Sequence, residues 1–171
     1  MAGVTDETPG LSPEELGAYF AVMEVSSLLQ YAVDAHLRAE GDLSYVQFQI
    51  LARLVDAPDG RLRMTDLADG VVYSRSGLTY QAGLLDKRGL ITRSSSPDDE
   101  RVIVVTVTDS GRGLVARVLP GHVADVRRLL FDPMATGDLA ALSEVLGRVR
   151  AHMRATPPRS AKPRAKRRGA G

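Results

Sequence analysis

Between Ser74 and Lys87 the side chains able to form hydrogen bonds collect on one helical face. On a wheel of residues 74 to 88, Leu78, Ala82 and Leu85 fall on one side, whereas Ser76, Thr79, Tyr80, Gly83 and Lys87 fall on the other. The second face is small, polar and flat. Hydroxyls on Ser76, Thr79 and Tyr80 can bond phosphate oxygens or base edges, Gln81 can pair an adenine from the margin, and Arg75 can reach a guanine or a phosphate. Ser74 caps the helix and completes this set of candidate contacts. A helix face that is merely solvated would carry more Glu and Lys and fewer Ser, Thr, Gly and Tyr.

Other chemistries find little support. The chain has no cysteine, which excludes disulfides and thiolate zinc sites. His36, His122 and His152 stand apart in sequence, without the short His, Asp or Glu spacings of a metal site, and read as surface or interface residues. No glycine-rich turn has the strand and helix context of a nucleotide site, and no nucleophile–base pairing stands out. The expectation is a non-enzyme without metal or cofactor.

The elements that must position the polar helix can be read from caps and periodicity. Residues 1 to 11 form a polar, flexible arm. Ser12, Pro13, Glu14 and Glu15 then start a helix running to about residue 40, with one apolar stripe at Leu16, Phe20, Met23, Ser27 and Tyr31 and another at Val22, Val25, Leu29 and Val33. Shorter helices follow over about 45 to 56 capped by Ser44, about 66 to 70 capped by Thr65, and 75 to 88 stopped by Gly89, the last two joined through residues 70 to 73. Residues 90 to 93 and 102 to 107 read as two strands around a polar loop containing Pro97. Thr108, Asp109 and Ser110 cap a further helix that Pro120 should kink or split. After residues 136 to 138 a last helix carries Leu139, Leu142, Val145, Leu146, Val149 and Met153 on one stripe. The order predicts a mainly α fold with a small β-hairpin wing, a winged helix-turn-helix whose polar helix enters a DNA groove.

Charge qualifies that prediction. The whole chain of 171 residues carries a formal net charge of +1, which argues against a strongly basic binder. Yet the segment 154 to 171 holds seven cations and no acid, leaving 15 cations against 21 acids before it. Residues 61 to 101 hold seven cations and six acids. The tail, rich in Pro, Ala, Lys and Arg, is expected to be disordered and to add a nonspecific attraction for phosphate.

The run Ser74-Arg75-Ser76-Gly77-Leu78-Thr79, then Leu85 to Arg93, then Pro97-Asp98-Asp99-Glu100-Arg101, and finally Val107-Thr108-Asp109-Ser110-Gly111 together resemble the MarR family of bacterial transcriptional regulators. The resemblance covers about residues 12 to 153, with 12 to 43 and 109 to 153 corresponding to dimerisation helices and 44 to 108 to the winged helix-turn-helix. It implies a homodimer on a pseudo-palindromic operator, acting as a repressor; the cytoplasm is expected as the default compartment, since neither a signal-like segment nor an unbroken apolar run of membrane length is read in the sequence. In the wing it implies that Arg101 approaches the minor groove and that Asp99 holds the turn. The sequence departs from the family pattern at Ser96, where an acid is common, at Glu100, where an arginine is frequent, and at Tyr80, which stands in place of another arginine. The resemblance further implies release by a small aromatic or phenolic effector, for which Tyr19, Met23, Tyr31, His36, Tyr45 and Phe48 lie in suitable segments, each also readable as ordinary packing. No membrane span is expected. Two other readings remain open: a nonspecific architectural DNA binder led by the tail, and a winged-helix protein-interaction module that does not read DNA.

Overall fold

The computed structural model describes residues 10–71, 74–97 and 99–155. The arm over residues 1 to 9, the connection at 72 and 73, Asp98 and the tail over 156 to 171 lie outside them, as does the side chain of Arg75.

The chain runs α1 (Pro13–Gly41), α2 (Tyr45–Asp56), β1 (Arg61–Arg63), α3 (Met64–Val71), α4 (Arg75–Lys87), β2 (Ile91–Ser95), β3 (Ile103–Val107), α5 (Asp109–Val126), a π-helical turn (Arg127–Phe131) and α6 (Asp138–Arg154). Helix α1 starts where the caps predict. Ser12 Oγ accepts from the Glu15 N–H at 3.2 Å and the Glu15 carboxylate accepts from the Ser12 N–H at 2.7 Å, a reciprocal box that satisfies two otherwise orphaned donors. Ser44 and Gln47 form the same box at the head of α2.

The core is built where α2, α3, α4, the sheet and the ends of α1 and α5 converge. Leu37, Leu43, Ile50, Leu51, Leu54, Leu67, Leu78, Leu85 and Val105 are fully buried there. Only the C-terminal part of α1 enters it, through Val33, Leu37 and Gly41, packed on α5. Arg88 fastens that end: its guanidinium donates to the carbonyls of Gly41 at 3.1 Å and Asp42 at 2.6 Å. By contrast Leu16, Phe20, Val22, Met23, Val25 and Tyr31 on α1, and Leu139, Val145, Leu146, Val149 and Met153 on α6, are exposed.

Several expectations are corrected. The expected hairpin forms, β2 on β3 with Ile91 opposite Val107, and the unexpected strand β1 joins it with Arg61 opposite Thr106 to make a three-stranded antiparallel sheet in the order β1-β3-β2. Thr65 does not cap α3, which begins one residue earlier, and its hydroxyl bonds Asp66 instead. Pro120 does not break α5, which continues to Val126. The carbonyl that loses its N–H partner belongs to the exposed Ala116, where water can replace the bond. The irregularity falls downstream, in the π turn. Finally, α1 is long and apolar enough to cross a membrane by length and composition, with a window of mean hydropathy 1.2, although no unbroken apolar run suggested a span. Its packing on α5 makes it a helix of the folded domain.

Candidate nucleic-acid interface

Helix α4 is seated by its apolar side. Leu78, Ala82 and Leu85 have 0 % exposure, so the remaining face is fixed by burial of its opposite. Ser74 Oγ accepts from the Gly77 N–H at 3.2 Å, and Gly89, at φ 70°, lets the chain leave the helix through a left-handed turn. Ser76 and Thr79 are exposed, and Tyr80 is 65 % exposed. An aromatic ring in water is costly, and on a reading helix it offers an apolar face and a hydroxyl to a groove.

Gln81 differs from its neighbours. It is half-buried, and its Oε1 accepts from Gln47 Nε2 at 3.0 Å. Gln47, 8 % exposed, is a functional candidate that the sequence gives no reason to single out beyond its place three residues after the Ser44 cap.

Beside α4 stands the wing. Strands β2 and β3 pair as far as Ser95 opposite Ile103, and the tip closes through Ser96 N–H to the Val102 carbonyl at 2.7 Å and Val102 N–H to the Asp99 carbonyl at 2.9 Å. The Asp99 carboxylate accepts from the Arg101 N–H at 2.9 Å, a local turn lock that leaves the exposed Arg101 side chain at the tip. Thr108 joins wing, α4 and α5: its hydroxyl donates to the Gly89 carbonyl at 2.7 Å and accepts from the Gly111 N–H at 3.1 Å.

Ion pairs sharpen the charge reading. Of the seven cations between residues 61 and 101, Arg61 pairs with Asp59 at 3.3 Å, Arg93 with Asp86 at 3.0 Å, and Arg88 holds the end of α1. Arg63, Lys87 and Arg101 form no ion pair among the described residues.

The suggested effector residues separate. Tyr45 and Phe48 line an open cavity of about 430 Å³ together with Gln49, Ala52, Arg53, Asp56 and His122. Tyr19, Met23 and Tyr31 do not line it; they are exposed on α1, Tyr19 and Met23 ahead of its contact with the core and Tyr31 on its outer side. His36 is placed elsewhere too, with Nε2 3.2 Å from the Val118 carbonyl and Nδ1 3.8 Å from Asp125. Its ring lies against Gly121, where any Cβ would collide with it. The cavity side of α2 was legible as i, i+4 stacks, Tyr45-Gln49-Arg53 and Phe48-Ala52-Asp56. His122 was not, because its neighbour Phe48 is distant in sequence; their ring centroids are 4.7 Å apart. Two of the three histidines are not isolated: burial holds the His122 pKa below its ordinary value, His36 nearby lowers it further, and Asp125 opposes both, whereas His152 is exposed on α6. His122 Nδ1 is buried without a hydrogen-bond partner among the described residues. Among those residues no group of three or more His, Asp or Glu side chains is arranged to hold a metal ion.

A trihelical core with a polar third helix, a three-stranded wing and long flanking helices defines a winged helix-turn-helix protein. The sequence pattern of the MarR family matches residues 41–102. The structure superimposes on Sco3205, a MarR family transcriptional regulator from Streptomyces coelicolor solved in complex with DNA, with TM-score 0.82 and 31 % identity over 87 % of this chain and 93 % of that one. AbsC, another MarR family regulator from Streptomyces coelicolor, gives TM-score 0.81 and 30 % identity over 86 % and 99 %. The transcriptional regulator PecS of Dickeya dadantii is 29 % identical over 86 % of this chain and 89 % of its own length. The chain belongs to the MarR family of transcriptional regulators.

Proposed function

We propose that the protein is a cytoplasmic repressor that binds a pseudo-palindromic operator as a homodimer and releases it when a small aromatic or phenolic compound binds. The observation that carries the reading is the exposed face of α4, hydroxyl-bearing and without an acidic residue, set beside a wing whose tip presents Arg101. Ser74, Arg75, Ser76, Thr79, Tyr80 and Gln81 enter the major groove and Arg101 the adjacent minor groove, with Asp99 holding the wing turn. The DNA complex of Sco3205 supports the mode of binding. Exposed apolar faces on α1 and α6 support a second copy as the partner that covers them. The aromatic walls of the cavity on α2, with Arg53 at its side, support a flat, partly anionic effector, and CouR of Rhodococcus jostii, solved with p-coumaroyl-CoA, shares the fold at TM-score 0.68. The seven cations from residue 154 onward supply bulk attraction to phosphate that the reading head lacks.

Fluorescence anisotropy with duplex DNA from upstream of the protein's own gene, against a shuffled duplex at two salt concentrations, tests this reading. A sequence preference that survives salt is expected. Equal binding to both duplexes with steep loss in salt would mean an architectural binder led by the tail. No binding at either salt would mean an interaction module.

A further inference from the structure

We propose that Gln47 is a positioning residue for base reading: through a relay from Ser44 it fixes which end of the Gln81 amide points out of α4 and makes Gln81 a hydrogen-bond donor. This rests on the DNA-reading function proposed above.

A glutamine amide has an acceptor end and a donor end of nearly the same shape, so an unrestrained glutamine can read either kind of partner. Gln81 is restrained. The starting point is the backbone N–H of Ser44, whose polarity cannot be reversed, and it donates to Gln47 Oε1 at 3.0 Å. That bond belongs to the capping box of α2, in which the Gln47 N–H also donates to Ser44 Oγ at 3.3 Å. With its oxygen held there, Gln47 must present Nε2 at its other end, and that nitrogen donates to Gln81 Oε1 at 3.0 Å. The Gln47 side chain is 8 % exposed, so water competes poorly for these bonds. Gln81 Oε1 therefore faces inward, and the Nε2 donors are the end left for the groove.

The consequence is a specificity rule. A donor-only group favours base edges rich in acceptors in the major groove, guanine with O6 and N7 or thymine with O4, over adenine, whose single acceptor N7 stands beside the N6–H donor, and over cytosine, which offers only the N4–H donor. The two-pronged pairing of adenine expected for Gln81 needs its oxygen as an acceptor for adenine N6–H, and that oxygen is engaged by Gln47. A cap at the start of one helix thus sets the polarity of a reading group on another.

Gln47→Glu reverses the rule with little change of shape. One carboxylate oxygen still accepts from the Ser44 N–H, since Ser-x-x-Glu is itself a capping box. The other is now an acceptor, so the Gln81 amide turns its nitrogen inward and its oxygen outward. The reading group becomes an acceptor, which favours cytosine N4–H or adenine N6–H.

The experiment is selection from a randomised duplex DNA library with the full chain and its Gln47→Glu, Gln81→Ala and Gln47→Glu/Gln81→Ala variants. Wild type is expected to enrich guanine or thymine at one position in each half-site. Gln47→Glu should shift that position alone to cytosine or adenine, by about 3- to 10-fold in relative affinity, and Gln81→Ala should erase the preference in either background. Selection of the same base by wild type and Gln47→Glu overturns the relay while leaving DNA reading intact. Enrichment of no motif by wild type overturns the DNA reading and the relay with it. Should circular dichroism show that Gln47→Glu is unfolded, Gln47→Leu replaces it. That variant frees the Gln81 amide to face either way, so discrimination at that position is expected to vanish, and its retention overturns the relay.

Discussion

The reading head and the two outer arms are made of similar helices with opposite economies of burial. In the head, apolar positions of α2, α3 and α4 meet one another within a single chain, and Leu51, Leu54, Leu67, Leu78 and Leu85 have 0 % exposure. In the arms apolar residues also recur at helical spacing, on two sides of α1 and on one stripe of α6, yet Phe20 on α1 is 60 % exposed and Met153 on α6 is 72 % exposed. Regular amphipathicity therefore says that a face will be covered, not that its own chain covers it. The head closes its core with the ends of α1 and α5, while the outer faces of the arms stay uncovered by the chain itself.

Substitutions can break each region separately. Leu51→Ala removes a fully buried side chain from the head and should lower unfolding stability by about 2–5 kcal/mol, read by denaturant titration at fixed protein concentration. Leu146→Glu places a charge on the exposed stripe of α6 and should leave the head folded while weakening self-association by about 2–4 kcal/mol, roughly 30- to 1000-fold in dimer Kd. Sedimentation at several concentrations checks this, and an unchanged mass would mean that the α6 face meets no second copy. Within the head, Arg101→Ala should weaken operator binding by about 1–2 kcal/mol and reduce the salt slope by about one without changing the dimer; equal affinity for both proteins would remove the wing from the interface.

The smallest effect concerns pH, at the junction where α5 meets the head. Burial and the neighbouring His36 hold the His122 pKa below its ordinary value of 6.5, with Asp125 opposing them. The folded state therefore binds fewer protons than the unfolded state between the lowered value and 6.5. The stability contributed by neutral His122 is fully present above 6.5 and is lost as pH falls through the lowered folded value. Thermal unfolding followed from about pH 7.5 to about pH 5 should show this loss, and His122→Phe, which keeps the ring beside Phe48, should flatten it. The Asp34 carboxylate adds an acid slope of its own at lower pH. Burial pushes its pKa up, but Arg38 and the Tyr45 N–H outweigh that and leave it lowered, so its contribution is lost as pH falls through the lowered value.

Most helices were legible because local signals sufficed. Ser12, Ser44, Ser74 and Thr108 each accept from a backbone N–H three residues on, and a cap of that kind is written in four consecutive residues. The face of α4 was legible for the same reason, since its burial follows from spacing alone. β1 was not: three residues carry too little alternation to register, and Arg61–Arg63 becomes a strand only because β3 lies beside it. The fate of Pro120 depended on whether the freed carbonyl reached water, which sequence does not state. The cavity wall at His122, the Gln47–Gln81 bond and the Arg88 clamp all join residues far apart in the chain. Pairings of that kind come from packing, and their residue types alone gave no hint of them.

One threonine ties the end of α4 to the start of α5. The Thr108 hydroxyl holds the carbonyl after α4 and the first turn of α5 at once. α4 and α5 therefore share a rivet rather than a tether. In a two-fold dimer, a tilt of α5 reaches the C-terminal end of each reading helix with little slack. Half-sites about 34 Å apart fix where both reading helices must lie, so a small rotation at the interface between copies becomes an error in spacing along the DNA. Cutting the rivet with Thr108→Val would leave each head able to grip its half-site and the pair unable to agree on the distance between them.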